Sequence, residues 1–368
     1  MKILPWEGST VFPALCKLLL AWRKSAPDMR DLPWRDEPTP YHVWISEIML
    51  QQTRAAVVRG YYLRFLDALP SVCDLANVDD DALMKLWQGL GYYSRARNLK
   101  RAAQAIVTEH GGDLPRDFDA LLTLPGIGRY TASAIVSFAY GQPRPAVDGN
   151  FLRVAARVTA NPIDIAKDTS KRALEAALAP SYPSGRDAGL LNEAFMDLGA
   201  TVCLPNGVPL CHACPAAQLC LAHDRGTEQD YPVKTALKVR RKERRTVLLL
   251  SCGNRIAIRK RPARGLLAGL WEYPNLEGKL SKRAVHAHIE SEGFDVCDIA
   301  PLPPARHIFS HIEWELTGWA VTVAAMNEPP LMAAEDRTDA PSSLLWVRRE
   351  ELADTYSIPA AFGYFTPQ

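Results

Sequence analysis

The chain of 368 residues carries a net charge of +2, with 48% hydrophobic and 23% charged residues, which is ordinary for a soluble globular protein. The apolar stretch from Val11 to Trp22 contains Pro13 and Lys17 and is too short to span a bilayer, so we expect no membrane segment. We find no export signal, and the eight cysteines therefore argue for a reducing cytoplasm and against a disulfide framework.

The first ~225 residues are predicted to be helical, because apolar residues recur every three or four positions. The clearest helical runs are Tyr41–Leu69, Asp80–Trp87, Ala96–His110, Arg129–Tyr140, Asn150–Val158 and Leu190–Val202. The stretch 230–245 is basic and poor in helix signals. We therefore expect a helical domain over 1–229 and a linker over 230–245.

The remaining residues, 246–368, change character. One helix is predicted over Ser281–Gly293, and the proline-rich stretch Pro301–Pro304 is expected to be a loop. The strands are predicted from alternating, β-branched and aromatic residues over Thr246–Ser251, Arg255–Lys260, Trp314–Ala324 and Leu344–Val347. This half is predicted to fold as its own α+β domain.

Four cysteines near the middle of the chain are spaced as C-x7-C-x2-C-x5-C: Cys203, Cys211, Cys214 and Cys220. The x2 pair allows two thiolates to reach one metal, or one face of a cluster, from a tight turn. Bacterial iron–sulfur runs often place a proline after a cysteine, as Pro215 does here. All-cysteine zinc sites more often show two separated C-x2-C pairs. The spacing favours one [4Fe–4S] cluster, with zinc as the alternative.

A glycine-rich turn, Leu124 to Gly128, lies between two predicted helices. Pro125 ends the first helix, and Gly126 and Gly128 allow a tight turn with positive φ. Such a turn leaves backbone N–H groups free at the start of the next helix, where the helix dipole favours an anion. It can hold one DNA phosphate without reading the base sequence, or it can be a plain packing corner.

Two carboxylates, Glu47 and Asp148, have different predicted surroundings. Glu47 lies in a helix among large apolar residues, where a desolvated carboxyl would hold its proton near neutral pH. Asp148 directly precedes a helix, whose N-terminus stabilises negative charge by roughly 0.3–1 kcal/mol. A protonated and an ionised carboxyl facing one bond are what cleavage of an N-glycosidic bond needs. A surface glutamate and a simple helix cap are the alternatives.

The hairpin, the downstream aspartate and the four-cysteine loop in this order resemble the endonuclease III superfamily of DNA glycosylases, and within it the adenine DNA glycosylases of the MutY type. The likeness extends over nearly the whole chain. It implies a mainly helical helix-hairpin-helix domain with an iron–sulfur module, followed by an α+β Nudix-like domain. The segments that carry it are Leu32 to Arg35, Trp44 to Thr53, Gly89 to Tyr93, Leu124 to Thr131, Val147 to Asn150 and Phe309 to His311.

The resemblance also implies a reaction. Relatives that are also lyases place a Schiff-base lysine two residues after the last hairpin glycine, where this chain has Tyr130, so a monofunctional glycosylase that uses water is implied. Glu47 would protonate adenine at N7, and Asp148 would stabilise the oxocarbenium-like sugar or briefly bond to its C1′. Tyr130 and Asn150 would help to position these groups.

Further residues match DNA-contacting positions of the family. Arg35 and Glu193 would read the flipped adenine, with a helix-surface charge as the alternative for Glu193. Gln52 and Tyr92 would fill or wedge the duplex. The loop that would inspect the 8-oxoguanine opposite the adenine consists of Phe309, Ser310 and His311.

Two features depart from related patterns. The helix over 284–293 offers only Glu290 and Glu292 where a Nudix hydrolase carries an R-E-x-x-E-E run for magnesium, so we expect a reading module. The family usually has six residues, often with a basic one, between its first two cysteines. This chain has seven, Leu204 to Leu210, without Lys or Arg. We therefore expect Arg129 and the hairpin glycines, Gly126 and Gly128, to carry more of the phosphate contact.

The predicted function is removal of adenine from duplex DNA in which it is mispaired with 8-oxoguanine or guanine. The alternatives are a bifunctional pyrimidine glycosylase and lyase, and a non-catalytic iron–sulfur protein that binds DNA damage. We expect a monomer associated with the nucleoid in the cytoplasm of a bacterial-type cell.

Overall fold

The computed structural model describes residues 6, 10–26, 29–235, 239–326 and 344–366. The chain divides into two compact units. Unit 1 comprises Met1–Asn77 and Asn98–Ala236, and unit 2 comprises Val78–Arg97 and Leu237–Gln368. Among the described residues, no helix combines the length and the hydropathy needed to cross a membrane.

The chain up to residue 224 is helical, as the periodicity predicts. Most of these helices belong to unit 1, whereas α5 and the start of α6 belong to unit 2. In order they are α1 Val11–Ser25, α2 Pro40–Leu50, α3 Ala55–Ala68, α4 Val72–Asn77, α5 Asp80–Leu86, α6 Ser94–His110, α7 Phe118–Thr123, α8 Arg129–Phe138, α9 Gly149–Val158, α10 Asp168–Leu178, α11 Arg186–Thr201 and α12 Leu221–Asp224.

One hydrophobic core of unit 1 holds helices α1, α9 and α11 together. α1 buries Leu15 and Leu19 in this core, together with residues of α9 and α11. The rings of Phe151 on α9 and Phe195 on α11 stack with centroids 4.3 Å apart. Because both helices are held by this core, the residues at the start of α9 and along α11 keep a fixed geometry.

The prediction of one helix over Tyr41–Leu69 is wrong, because residues 51–54 separate α2 from α3. Thr53 N–H donates to the Leu50 carbonyl at 3.3 Å, which closes a turn after α2. Gln52 has φ +60, a left-handed backbone conformation that residues other than glycine rarely adopt. The apolar periodicity hides this break because both helices bury a face.

Besides α5 and the start of α6, the described residues of unit 2 form a seven-stranded sheet and three further helices. The strand order is β3-β2-β1-β6-β5, with β4 paired to β1 and β7 paired to β2. β1 and β6 are parallel, from Arg241 opposite Ile312 to Ser251 opposite Thr322. The elements are β1 Arg241–Cys252, β2 Arg255–Lys260, β3 Trp271–Glu272, β4 Asn275–Glu277, α13 Lys282–Ser291, β5 Val296–Ile308, β6 Ile312–Val323, β7 Leu345–Arg348, α14 Arg349–Thr355 and α15 Ala360–Gly363.

Both faces of this sheet are covered. Val247 of β1 packs in a cluster with Trp314, whereas the next residue, Leu248, packs in a second cluster with Val285 and Ile289 of α13. Successive residues of a strand point to opposite faces, so one strand supplies both clusters. The predicted α+β character of this half is confirmed.

The linker predicted over 230–245 is too long, because residues 241–245 form the beginning of strand β1. Residues 236–238 of that stretch lie outside the described residues. The basic side chains are exposed cross-strand partners of acidic residues on β6: Arg244 lies 3.1 Å from Glu315, and Lys242 lies 3.7 Å from it. Opposite charges on paired strands support each other, so a basic run of this kind does not exclude a strand.

Two further expectations are corrected. Pro301–Pro304 belongs to β5 rather than to a loop. β5 lies at the sheet edge, where proline is tolerated, and its register with β6 shifts between Leu302 and Ala305. The stretch Val78–Arg97 belongs to unit 2 although we predicted it within the domain 1–229.

Three contacts inside unit 2 explain why Val78–Arg97 belongs there. Lys260 Nζ lies 2.9 Å from an Asp81 carboxylate oxygen. Gln88 Nε2 donates to the Ile358 carbonyl at 3.0 Å. Arg97 Nη1 donates to the Ala268 carbonyl at 2.6 Å. These partners are distant in sequence, so helical periodicity could not reveal them.

We predict that Gly318→Ala destabilises unit 2. A Cβ on Gly318 would lie 2.5 Å from Phe365 Cε1, and adding a methyl group to a packed site typically costs about 1–3 kcal/mol. Gly363→Ala is the matched control, since no heavy atom lies within 4 Å of its added Cβ. Hydrogen exchange of β6 amides should speed up in Gly318→Ala alone. Equal protection in both variants would contradict this packing.

Candidate active site and metal centre

Glu47 is a buried carboxyl on α2. The helix begins after Thr39, whose hydroxyl accepts a hydrogen bond from His42 N–H at 3.2 Å, and Trp44 and Ile45 are fully buried beside Glu47. Glu47 is only 5% exposed, and its Oε2 has no hydrogen-bond partner among the described residues. Burial is the largest influence and raises the pKa of Glu47 to about 7.

Tyr130, on the first turn of α8, lies near Glu47. Desolvation, followed by the charges of Glu47 and Asp148, raises the pKa of Tyr130 well above its ordinary value, so the hydroxyl stays protonated. The Tyr130 hydroxyl lowers the pKa of Glu47, whereas the nearby Asp148 raises it. Position 130 therefore holds a neutral donor beside the carboxyl.

Asp148 is the N-cap of α9. Its Oδ1 accepts hydrogen bonds from the N–H groups of Asn150 at 2.8 Å and Phe151 at 3.0 Å. Its Oδ2 accepts one from Asn150 Nδ2 at 2.6 Å. Desolvation raises the pKa of Asp148, and these three hydrogen bonds oppose that rise. The donors offset part of the cost that burial places on the charged form of this carboxyl.

Arg153 connects this carboxylate to the cysteine loop. Its Nη2 donates to Asn150 Oδ1 at 2.9 Å and to the Gly199 carbonyl at 2.7 Å, and its Nε donates to the Cys203 carbonyl at 2.8 Å. Gly199 is required for close approach, since a Cβ there would lie 2.5 Å from Asn150 Cβ. Neither Arg153 nor Gly199 was predicted, because no local pattern marks them.

Glu47, Tyr130, Asp148 and Asn150 line one cavity of about 240 Å³ in unit 1. Apolar side chains, among them Leu32, Trp34 and Met196, form part of its wall. The structure brings six of the predicted site residues to this cavity: Arg35, Glu47, Tyr130, Asp148, Asn150 and Glu193.

Arg35 and Glu193 belong to a buried ionic network. Arg35 donates to both carboxylate oxygens of Asp197, at 2.8 and 3.0 Å, and its Nε lies 3.7 Å from Glu193. Glu193 in turn accepts from Arg23 at 2.6 Å, and Arg30 lies 3.1 Å from Asp197. Glu193 is thus not a helix-surface charge. Arg23, Arg30 and Asp197 were missed because long-range ion pairs leave no spacing signal.

The hairpin between α7 and α8 lines a second, larger cavity of unit 1, which shares Glu47, Tyr130 and Asp148 with the first. Gly126 has φ +79 and approaches Asn98, where an added Cβ would lie 2.8 Å from Asn98 Cβ. Gly128 is the N-cap of α8 with φ −92, so the positive φ expected there does not occur. Four further predicted residues line this cavity: Gln52, Gly126, Gly128 and Arg129.

The four predicted cysteines line one small cavity of unit 1. Cys203 follows α11, Cys211 and Cys214 flank a single turn, and Cys220 is the N-cap of α12. All four are free thiols, and Arg157 Nη1 donates to Cys203 Sγ at 3.2 Å. Four sulfur donors around one space fit a soft metal or an iron–sulfur cluster.

Two residues beside these cysteines were not predicted. His223 Nδ1 lies 2.6 Å from Glu228 Oε1, and Cys211 Sγ lies 3.6 Å from the same oxygen. The donor atoms of the three residues lie within 4.8 Å of one another. Burial is the largest influence that raises the pKa values of Cys211 and Cys214, each to about 11.

In unit 2, the predicted reader loop lies beside Tyr92. The Tyr92 hydroxyl and Ser310 Oγ are 2.9 Å apart, and both line a cavity with Phe309 and His311. Tyr92 has φ +49 and is 43% exposed. Tyr92 was expected to fill or wedge the duplex, and the loop Phe309–Ser310–His311 to inspect the 8-oxoguanine. The structure places Tyr92 beside this loop.

The comparisons with known proteins fit this geometry. Residues 45–180 match the HhH-GPD superfamily of base excision DNA repair proteins, and residues 245–365 match the NUDIX domain. A solved structure of a thermostable thymine-DNA glycosylase is 30% identical with a TM-score of 0.50, and it covers 58% of this chain and 96% of that one. The chain is therefore a helix-hairpin-helix DNA glycosylase with a second, Nudix-like domain.

Two relatives narrow the class. The mouse adenine DNA glycosylase is 34% identical over 91% of this chain and 74% of its own length. The human adenine DNA glycosylase is 34% identical over 90% of this chain and 68% of its own length. This chain belongs to the adenine DNA glycosylase family, which confirms the predicted family, fold class and enzymatic activity.

We predict that Glu47→Gln stabilises unit 1 above neutral pH. Because folding raises the pKa of Glu47 from 4.5 to about 7, its contribution to stability is full below pH 4.5 and is lost as the pH rises through about 7. The stability of Glu47→Gln relative to wild type should increase by about 3 kcal/mol between pH 4.5 and 8.

Urea unfolding combined with hydrogen exchange of α2 amides measures this difference. Glu109→Gln, at an exposed position of α6, is the control and should show no such increase. A constant difference between Glu47→Gln and wild type across this pH range would mean that folding does not raise the pKa of Glu47.

Proposed function

We propose that this adenine DNA glycosylase removes adenine opposite 8-oxoguanine, or opposite guanine, in duplex DNA and leaves the strand uncut. The observation that carries the proposal is the cavity in which buried Glu47 faces Tyr130 and Asp148. One of the two carboxyls holds a proton near neutral pH, and the other accepts three hydrogen bonds. That difference separates an acid role from an anion role.

In the proposed reaction, Glu47 donates its proton to N7 of the flipped adenine. The electron pair of the N-glycosidic bond then leaves with the protonated base, and positive charge develops on the sugar. Asp148 stabilises this charge, and water adds at C1′ and gives its proton to the Glu47 carboxylate, which restores the acid. General acid catalysis typically contributes ~10²–10⁴ in rate, so preorganised stabilisation by Asp148 must supply a large further share.

Tyr130 argues against the lyase alternative. A lyase of this superfamily needs an amine nucleophile there, and this chain instead places a tyrosine hydroxyl in the cavity with Glu47. The paired carboxyls argue against the non-catalytic alternative, because a protein that only binds damage needs no buried acid with a raised pKa. We therefore favour a monofunctional enzyme.

Base recognition is assigned to the ionic network. Arg35 and Glu193 line the cavity. Asp197 accepts hydrogen bonds from Arg35 at 2.8 and 3.0 Å, and Arg23 donates to Glu193 at 2.6 Å. A guanidinium and a carboxylate in fixed positions can bind the edge of a purine by hydrogen bonds. The network makes these groups rigid before the base arrives, which lowers the entropic cost of binding.

Recognition of 8-oxoguanine is assigned to unit 2. Phe309 offers an aromatic face, and Ser310 and His311 offer hydrogen-bonding groups, beside Tyr92 in one cavity. Gln52 is assigned to the duplex on the hairpin side of unit 1. Stacking on an aromatic ring is worth about 1–3 kcal/mol per base, so one ring can hold a base out of the stack.

Cys203, Cys211, Cys214 and Cys220 are proposed to hold one [4Fe–4S] cluster, with zinc as the alternative. When bound, this group supplies a cross-link of the loop through four thiolates, so its binding free energy contributes to folding. Arg157, by donating to Cys203 Sγ, would orient that ligand.

A duplex with a single adenine opposite 8-oxoguanine tests the reaction. Wild-type enzyme should release free adenine, with strand breaks only after alkali, and release should be slower opposite thymine than opposite 8-oxoguanine. Single-turnover rates should fall as the pH rises through about 7, because Glu47 then loses its proton. Glu47→Gln should lose at least ~10² in rate, the lower range for a general acid.

Two outcomes would contradict this account. Tight binding without base release would indicate a damage-binding protein. Strand cleavage without alkali, together with a covalent complex trapped by borohydride, would indicate a lyase.

The metal assignment has its own test. Purified protein should absorb broadly in the visible range and contain iron and inorganic sulfide. Removing the metal should expose the amides around Cys203–Cys220 to hydrogen exchange, because the loop then loses its cross-link. A colourless protein with one zinc per chain would overturn the cluster and favour zinc.

A further inference from the structure

We propose that Lys171 and Arg172, on α10, form a second phosphate-binding element beside the hairpin. This inference deepens the proposed function. Both side chains line the same cavity of about 790 Å³ as the hairpin residues Gly126 and Gly128. That cavity also includes Asp148, so the two cations lie along the cleft that leads to the proposed reaction centre.

The sequence of α10 explains why these side chains face the cleft. Ser170, Leu174 and Leu178 are buried and hold one side of the helix against the core of unit 1. Lys171 and Glu175 are four residues apart and share a different side. Arg172 is exposed. The helix therefore presents a charged face on the side away from its buried residues.

Charge pairing distinguishes these cations from Arg129. The Nη2 and Nε atoms of Arg129 donate to Glu175 at 2.8 and 3.3 Å, so two of its donors are already engaged. Lys171 has only a 3.6 Å contact with Asp168, whose side chain is 80% exposed. Arg172 has no hydrogen bond or ion pair among the described residues. Exposed pairs such as Lys171–Asp168 contribute little and are readily exchanged for a phosphate.

The cysteine loop strengthens this inference. The segment Leu204–Leu210 contains no Lys or Arg, so it offers no cationic contact to a phosphate. Arg129 was expected to compensate, yet it is paired with Glu175. The cations left available on the hairpin cleft are those of α10. A duplex that reaches the hairpin would therefore also meet Lys171 and Arg172 through its backbone.

The test is the salt dependence of binding to an undamaged duplex. Each lost phosphate contact lowers the slope of log K against log salt by about 0.9, so Lys171→Ala with Arg172→Ala should lower it by about 1.8. Lys17→Ala, at an exposed position of α1, is the matched control and should leave the slope unchanged. The swapped variant Lys171→Arg with Arg172→Lys should retain the wild-type slope.

The loss of affinity should be equal for the undamaged duplex and for one with adenine opposite 8-oxoguanine, because phosphate contacts do not read bases. An unchanged slope would overturn the proposal, as would a loss confined to the damaged duplex.

Acetylation of lysines in the wild-type protein gives a second measurement that needs no variant. Undamaged duplex should protect Lys171 and not Lys17, and equal labelling with and without DNA would overturn the proposal. Neither measurement depends on adenine release. Failure of the excision assay with a reduced slope would refute the proposed function alone, and excision with an unchanged slope would refute the α10 contact alone.

Discussion

The burial of the Glu47 carboxyl against Tyr130 is the constraint on which the rest of the site depends. A carboxyl in this position would ordinarily be replaced by an apolar residue, because its ionisation in the folded protein is unfavourable. Its pKa of about 7 means that the protein tolerates an acid that is partly ionised at neutral pH. Such a stability cost is typical of functional sites.

Asp148 completes this arrangement through a different environment. The two carboxyls line one cavity, but only Asp148 accepts backbone N–H groups from a helix start. The hydrogen bonds of Asn150 and Arg153 then continue to the carbonyl of Cys203. The loop with the four cysteines is thus joined to the carboxylate by side chains. This gives the loop a positioning role.

The helical and α+β halves could be predicted because apolar periodicity and strand alternation are local signals. The resemblance to a glycosylase family indicated Arg35, Tyr130, Asn150 and Glu193, and the structure brings them into one cavity with Glu47 and Asp148. The break at Gln52, the strand at Arg241–Arg245 and the placement of Val78–Arg97 in unit 2 were not predicted. Each depends on a left-handed turn, cross-strand charges or distant contacts. The supporting residues Arg23, Asp197 and Arg153 were missed for the same reason, since only the folded chain brings them to their partners.

The central claim is that Glu47 holds a proton near neutral pH while Asp148 is ionised. Infrared difference spectra between wild type and Glu47→Gln, recorded in steps from pH 5 to 9, measure the protonated carboxyl stretch of this one residue. Our account predicts a band that is present at pH 6 and disappears with a midpoint of about 7. A spectrum without a protonated Glu47 band at pH 6 would contradict it, because the enzyme would then have no acid in position to protonate the base.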